Sequence, residues 1–84
     1  MFLVVEGIDE GTGVSVQNVQ DGVTKGFLIN RSKWVCCMAD STKVDKTFYY
    51  NISDWDSINV LVTDTALSEM KAEKYNNKLE LIRV

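Results

Sequence analysis

Residues 34–43 read Trp34-Val35-Cys36-Cys37-Met38-Ala39-Asp40-Ser41-Thr42-Lys43. Six apolar side chains follow one another without alternation and stop at a polar cluster. A strand with one wet face alternates, whereas a strand covered on both faces reads as a continuous apolar run. This stretch is therefore expected to be a buried strand of a parallel sheet, with a loop at its carboxyl end. The same signature recurs at Met1–Val5, Ile58–Thr63 is a third clear strand, and Leu79–Val84 is read as the final strand. Between these runs the pattern turns helical. Asp21 is an expected N-cap for a helix reaching Lys33, with Val23, Phe27 and Ile29 or Asn30 on its inner face. Gly26 inside it costs about 1 kcal/mol relative to alanine. A second helix is expected over Ala66–Asn76, with Leu67 and Met70 inward and Asn76-Asn77 ending it.

The remaining segments are less regular. Gly7 and Asp9-Glu10-Gly11-Thr12-Gly13 read as a loop leaving the first strand. Residues 14–20 start by alternating and fit either a short extended piece or the rest of that loop. Lys46–Ile52 is rich in strand formers and is expected to be extended, and Ser53–Ser57 is read as a turn. The order predicts a single α/β domain over residues 1–84: a small, mostly parallel sheet of about four strands with two main helices. A parallel sheet needs both faces covered, and two helices on four strands cover roughly one. The sheet is therefore expected to belong to a larger domain or to bury its other face by self-association.

Composition narrows the chemistry. The chain has 84 residues, no histidine and no proline. Without histidine there is no Ser–His–Asp or Cys–His catalysis and no imidazole zinc site. Net charge is −3, which argues against direct nucleic-acid contact, where a basic face neutralises phosphates. The charge is uneven. Residues 1–24 hold four acids and no bases, residues 25–46 five bases and two acids, and residues 47–84 four bases and six acids. An anionic ligand is therefore sought in the middle block. Cys36 and Cys37 are adjacent and point to opposite faces of a strand, so a disulfide between them would be strained. They read as buried free thiols, which suit a cytoplasmic setting. No membrane span or signal peptide is visible. Tyr49, Tyr50 and Trp55 read as packing or interface residues.

Ligands of open α/β sheets bind off the carboxyl ends of the strands. Three strand ends carry acids here: Gly7-Ile8-Asp9, Asp40-Ser41-Thr42-Lys43 and Thr63-Asp64-Thr65. In a parallel sheet Asp9, Asp40, Lys43 and Asp64 gather on one edge, with Lys25 leaning over it. Carboxylates accept from sugar hydroxyls, and a lysine is a point charge for a phosphate. Gly11-Thr12-Gly13 matches neither phosphate-cradling glycine pattern.

Four segments in register carry a family resemblance. They are Phe2-Leu3-Val4-Val5-Glu6-Gly7-Ile8-Asp9, Gly13 followed by Lys25 in an opening helix, Met38-Ala39-Asp40-Ser41-Thr42-Lys43, and Ile58-Asn59-Val60-Leu61-Val62-Thr63-Asp64. Together they resemble the sugar-phosphate-sensing effector domain of DeoR-type transcriptional regulators, in its C-terminal part. The third is similar to that family's A-D-S-S-K segment and the fourth to its I-D-x-L-I-T-D segment. Glu6 stands where the family has a small residue or Asp, and Asp21-Gly22-Val23-Thr24-Lys25 replaces a Glu-rich helix start. The resemblance implies half of the fold shared by ribose-phosphate isomerases, glucosamine-phosphate deaminases and coenzyme A transferases. It implies ligand residues Gly7, Asp9, Lys25, Asp40 and Lys43, a phosphorylated sugar or related metabolite as partner, and no cofactor, metal or catalysis. The family's helix-turn-helix and phosphate loop precede the part matched here. The expected partners are thus a second copy or that N-terminal half, and ligand binding by this part alone is expected to be weakened. Two other readings remain: a structural oligomerisation module without ligand, and an isomerase-like enzyme using carboxylate acid–base chemistry.

Overall fold

The four apolar runs form one parallel sheet. The computed structural model describes all 84 residues. Its strands and helices are β1 (Phe2–Val4), β2 (Gly7–Asp9), β3 (Gly13–Val16), α1 (Val19–Arg31), β4 (Cys36–Met38), β5 (Tyr50–Ser53), β6 (Val60–Thr63), α2 (Glu69–Asn76) and β7 (Glu80–Arg83). The parallel sheet has the order β1-β4-β6-β7. The crossovers all step in one direction across the sheet, and right-handed crossovers then place their helices on one face. On that face Leu3, Cys37 and Leu61 are buried. The expected α/β class, four-stranded parallel sheet and two helices are all present.

A second sheet was not expected. β2, β3 and β5 pair antiparallel in the order β2-β3-β5. Gly7–Asp9, read as loop, is a strand, and the 14–20 ambiguity resolves to β3 over its first residues. The extended piece expected at 46–52 is β5, displaced to Tyr50–Ser53 and absorbing a residue read as turn. Ile8, Val14 and Val16 are fully buried in the shared core. With three residues β2 is too short to display a period, which is why the sequence showed only its glycine and acid. The Asp9 carboxylate closes the β2–β3 turn, accepting from the Gly11 and Thr12 amides at 2.9 and 3.1 Å. The buried Ser15 hydroxyl accepts from the Phe48 amide at 2.9 Å, joining the 46–49 segment to β3.

Both helices begin and face differently from expectation. Asn18, not Asp21, caps α1, accepting from the Asp21 amide at 2.9 Å. Asp21 sits in the first turn, where its charge complements the helix dipole. The helix stops at Arg31, with Ser32 as its C-cap, rather than at Lys33. Gly22 and Ile29 are its buried residues, whereas Val23 and Phe27 are exposed. The reason is contact with β5. A Cβ at Gly22 would lie 2.2 Å from the Tyr50 ring, so α1 rests its glycines on that strand. α2 starts after the Ser68 cap, and its inner residues are Ala72 and Tyr75. Leu67 is buried as expected, but Met70 is exposed. Asn77 ends α2 in right-handed helical geometry, so no left-handed cap is used.

Cys36 and Cys37 are free and buried, on opposite faces of β4. Burial pushes the Cys37 thiol up to about 12, with the neighbouring Cys36 adding to it and Lys25 opposing. Burial also raises Cys36, against the pull of the amino terminus. Neither is poised to act as a thiolate. No helix is long and apolar enough to cross a membrane.

Candidate functional site

β4 and β6 lie side by side, so the loops leaving their carboxyl ends meet. After β4 the chain makes a single 3₁₀ turn, Ser41–Lys43, capped by Asp40. The Asp40 carboxylate accepts from the Thr42 amide at 2.8 Å and from the Thr42 hydroxyl. After β6, Asp64 bridges the two loops. Its carboxylate accepts from the Ser41 amide at 3.0 Å and from the Ala66 amide at 2.9 Å. One loop thus holds the other in place. Beside them lies an open depression of about 220 Å³, floored by Met38, Val62 and Val84 and rimmed by Asp40 and Asp64.

These hydrogen bonds favour the ionised form of both acids. The bonds from Thr42 hold Asp40 below its ordinary 3.8, with nearby Lys43 helping and Asp64 opposing. The bonds from Ser41, and a smaller one from Ala66, hold Asp64 below the same value. A carboxylate whose folded pKa is depressed stabilises the fold above its unfolded pKa, about 3.9, and loses that contribution as pH falls through the folded pKa. The loop pair is therefore expected to be unchanged from neutrality down to about pH 5 and to loosen only below about 3.9. Amide chemical shifts of Ser41, Thr42 and Ala66 followed through an acid titration check this. A midpoint above the ordinary carboxylate value at these amides would contradict it.

The five residues implied by the resemblance come from three places: β2, α1 and the 3₁₀ turn after β4. Asp40 and Lys43 share the 3₁₀ turn, and Asp64, read at the same edge, joins them. Lys43 forms no ion pair. Lys25 reaches the neighbouring strand's end: its Nζ donates to the Val4 carbonyl at 2.6 Å and pairs with Asp21 at 2.9 Å. It is thus one strand over, since Val4 is in register with Met38. Gly7 and Asp9 belong to the second sheet. A Cβ at Gly7 would come within 2.5 Å of the Lys46 carbonyl oxygen, which is a packing reason for glycine there. The Asp9 carboxylate is engaged in its own turn, and its carbonyl accepts from the Trp55 indole at 2.8 Å. Asp9 ends β2, a strand of the second sheet that meets the segment after the 3₁₀ turn at an isolated parallel bridge between Ile8 and Val44. The apolar floor went unnoticed because Met38, Val62 and Val84 read simply as strand residues. Their shared alternation, two residues before each loop or at the chain's end, is the signal that groups them.

The sequence of this edge matches a known domain. The family model of the DeoR C-terminal sensor domain covers residues 1–65. The chain belongs to that family. Among curated relatives, the HTH-type transcriptional repressor GlcR of Bacillus subtilis (strain 168) is 33% identical over 60 residues. That stretch is 71% of this chain and 23% of the relative, so the chain spans about a quarter of the relative's length. Lys25, Asp40, Lys43 and Asp64 all lie inside the part of the DeoR sensor domain that is matched, whereas β7 and Val84 lie outside it.

Proposed function

We propose that this DeoR sensor domain is the effector-binding portion of a transcriptional regulator and takes a phosphorylated sugar, or a related metabolite, at the carboxyl edge of β4 and β6. One observation carries the reading. Two ionised carboxylates with lone pairs to spare, Asp40 and Asp64, line an apolar depression at a parallel sheet's carboxyl edge, and the unpaired Lys43 stands in the 3₁₀ turn that Asp40 caps. Asp40 and Asp64 accept from sugar hydroxyls, and Lys43 meets the phosphate. Lys25 contributes field from the neighbouring strand. The depression is smaller than the pockets of about 300–1,000 Å³ that enclose a typical ligand and is open on one side, which supports weak binding by this portion alone. Membership of a regulator family and buried free thiols support a cytoplasmic binding module. The enzyme reading is disfavoured, because general acid–base work near neutrality needs a carboxyl raised towards that pH. Both acids at the edge are lowered.

A thermal-shift panel of pentose and hexose phosphates, beside inorganic phosphate, tests this. A ligand at 100 times its Kd adds about 2.7 kcal/mol of stability, a shift of many degrees for a domain this size. A stabilising sugar phosphate is expected, and Lys43→Ala is expected to remove most of its effect. A flat panel at millimolar ligand, or a shift that survives both Lys43→Ala and Asp40→Asn, would count against the site.

A further inference from the structure

The turn that carries Lys43 is held from outside itself. Ser41–Lys43 buries none of its own side chains, so packing does not fix it. At its start the Asp64 carboxylate takes the Ser41 amide. At its other end the buried Val44 closes the turn, its amide donating to the Ser41 carbonyl at 3.3 Å. Val44 also bridges Ile8 of β2, and the Lys46 amide donates to the Ile8 carbonyl at 3.2 Å. Between Val44 and Lys46 stands Asp45, the only residue other than glycine with a positive φ, at 61°. Aspartate is among the few side chains that enter this left-handed region readily. Its carboxylate reaches α2 with both oxygens. Oδ1 accepts from the Tyr75 hydroxyl at 3.3 Å, and Oδ2 pairs with Lys71 Nζ at 3.1 Å. Lys71 and Tyr75 are four residues apart, on one face of the helix.

We propose, resting on the reading of this edge as the effector site, that Asp45 is a positioning residue for Lys43. By tying the chain just past the 3₁₀ turn to Lys71 and Tyr75, it holds the turn and its unpaired lysine at the ligand edge. A lysine ends in a point charge on a flexible stem, so the place its charge can reach is set by where its backbone is held. The anchor on α2 is firm, because Tyr75 is fully buried. The ion pair with Lys71 is half exposed and weak by itself, and it acts together with the phenol and the backbone conformation. Both ends of the turn are thus held by one stretch of chain: Asp64 at the end of β6, and Lys71 and Tyr75 in the helix that follows it. A turn held before the ligand arrives loses less freedom on binding, so affinity depends on the tie. Asp45 itself is not asked to touch the ligand, since both its oxygens are engaged on α2.

Amide hydrogen exchange of the 84-residue chain tests this without any ligand. Asp45→Gly leaves the left-handed backbone accessible and removes both ties to α2. It is expected to speed exchange at Lys43, Val44 and Lys46 at least about fivefold beyond any change at Cys37 and Leu61, whose sheet amides report global stability. Asp45→Asn tolerates the same φ and keeps an acceptor for Tyr75, and is expected to restore protection to within about twofold of wild type. A titration with inorganic phosphate, followed at the Lys43 amide, reads the consequence for binding. The glycine variant is expected to bind at least about threefold more weakly than wild type, and the asparagine variant like wild type. Turn amides unchanged in Asp45→Gly, an acceleration shared equally by turn and sheet, or a loosened turn with unaltered phosphate affinity would each overturn the proposal. Phosphate that fails to bind wild type strikes at the effector-site reading instead, and exchange at the turn amides still decides whether Asp45 positions them.

Discussion

Gly13→Ala is expected to remove about half of the domain's stability. Gly13 has φ of 107°, a region that L side chains rarely adopt. A Cβ there would lie 2.0 Å from the Ser53 carbonyl oxygen and 2.7 Å from the Asp54 Cα. Both are backbone atoms, so no side chain can swing aside. Holding a residue in a disfavoured region costs about 1–3 kcal/mol. Forcing atoms into an occupied site costs about another 1–3 kcal/mol. A domain of this size has roughly 4–12 kcal/mol in total, so the variant loses about half of it. The damage falls where β3 meets β5, the seam that holds the second sheet together. Urea unfolding reads the loss. Gly11→Ala is the comparison: its nearest neighbour is the Asp9 carboxylate at 3.3 Å, the end of a movable side chain, and its effect is expected to stay within about 1 kcal/mol. Equal, small effects at the two glycines would show that the chain does not turn against β5 as described.

Tyr75→Ala is expected to cost about 3–5 kcal/mol, the usual range for emptying a large aromatic site. Tyr75 is fully buried and is the largest such side chain in the domain. It ties α2 to both sheets. Its ring packs edge to face on Trp55 at 5.5 Å. Its hydroxyl donates to the Ile8 carbonyl at 3.4 Å and to the Asp45 carboxylate at 3.3 Å. Burial, followed by the nearby Asp45 charge, raises its pKa, so the phenol stays neutral and donating. Tyr75→Phe separates ring from hydroxyl. Both bonds are long, and Asp45 keeps Lys71 at 3.1 Å, so a loss of only about 1 kcal/mol is expected. Denaturant unfolding followed by Trp55 fluorescence measures both variants. A phenylalanine variant as unstable as the alanine one would move the weight from packing to the hydroxyl.

The two variants probe the part of the fold that was hardest to read. The parallel sheet was legible because Trp34–Ala39 is an unbroken apolar run and Ile58–Thr63 is interrupted only by Asn59 before its polar end, a mark that hydrophobicity along the chain leaves whatever the neighbours are. The second sheet was not, because Gly7–Asp9 is only three residues long and the brief alternation of Val14 and Val16 fits the rest of a loop as well as a strand. The inner face of α1 was misread for a related reason. Val23 and Phe27 have the apolar character of core residues, but the contact with Tyr50 is made by Gly22, whose lack of a side chain is what permits it. Hydrophobic patterning cannot signal a contact made by absence. At the candidate site, the grouping of Asp40, Lys43 and Asp64 followed from parallel strands alone. The placing of Asp9 on the second sheet followed from a change of sheet that no local feature announces.

By itself, then, the sequence did not foresee that Phe2, Val4 and Val84 stay exposed, but it determined which segments are strands of the parallel sheet, that they run parallel, that their carboxyl ends bear acids and a lysine, and that two helices leave one face short of cover. These are consequences of side-chain hydrophobicity along the chain, which is local. Only the tertiary structure decided which acids meet. Asp64 holds the Ser41 amide across a gap of 23 residues, while Asp9 turns into its own hairpin. It also decided which face stays bare, with Phe2, Val4 and Val84 outside and Leu3, Cys37 and Leu61 within. Those choices rest on strand register and on the closeness of backbones at Gly13 and Gly22, which exist only once distant segments are packed together.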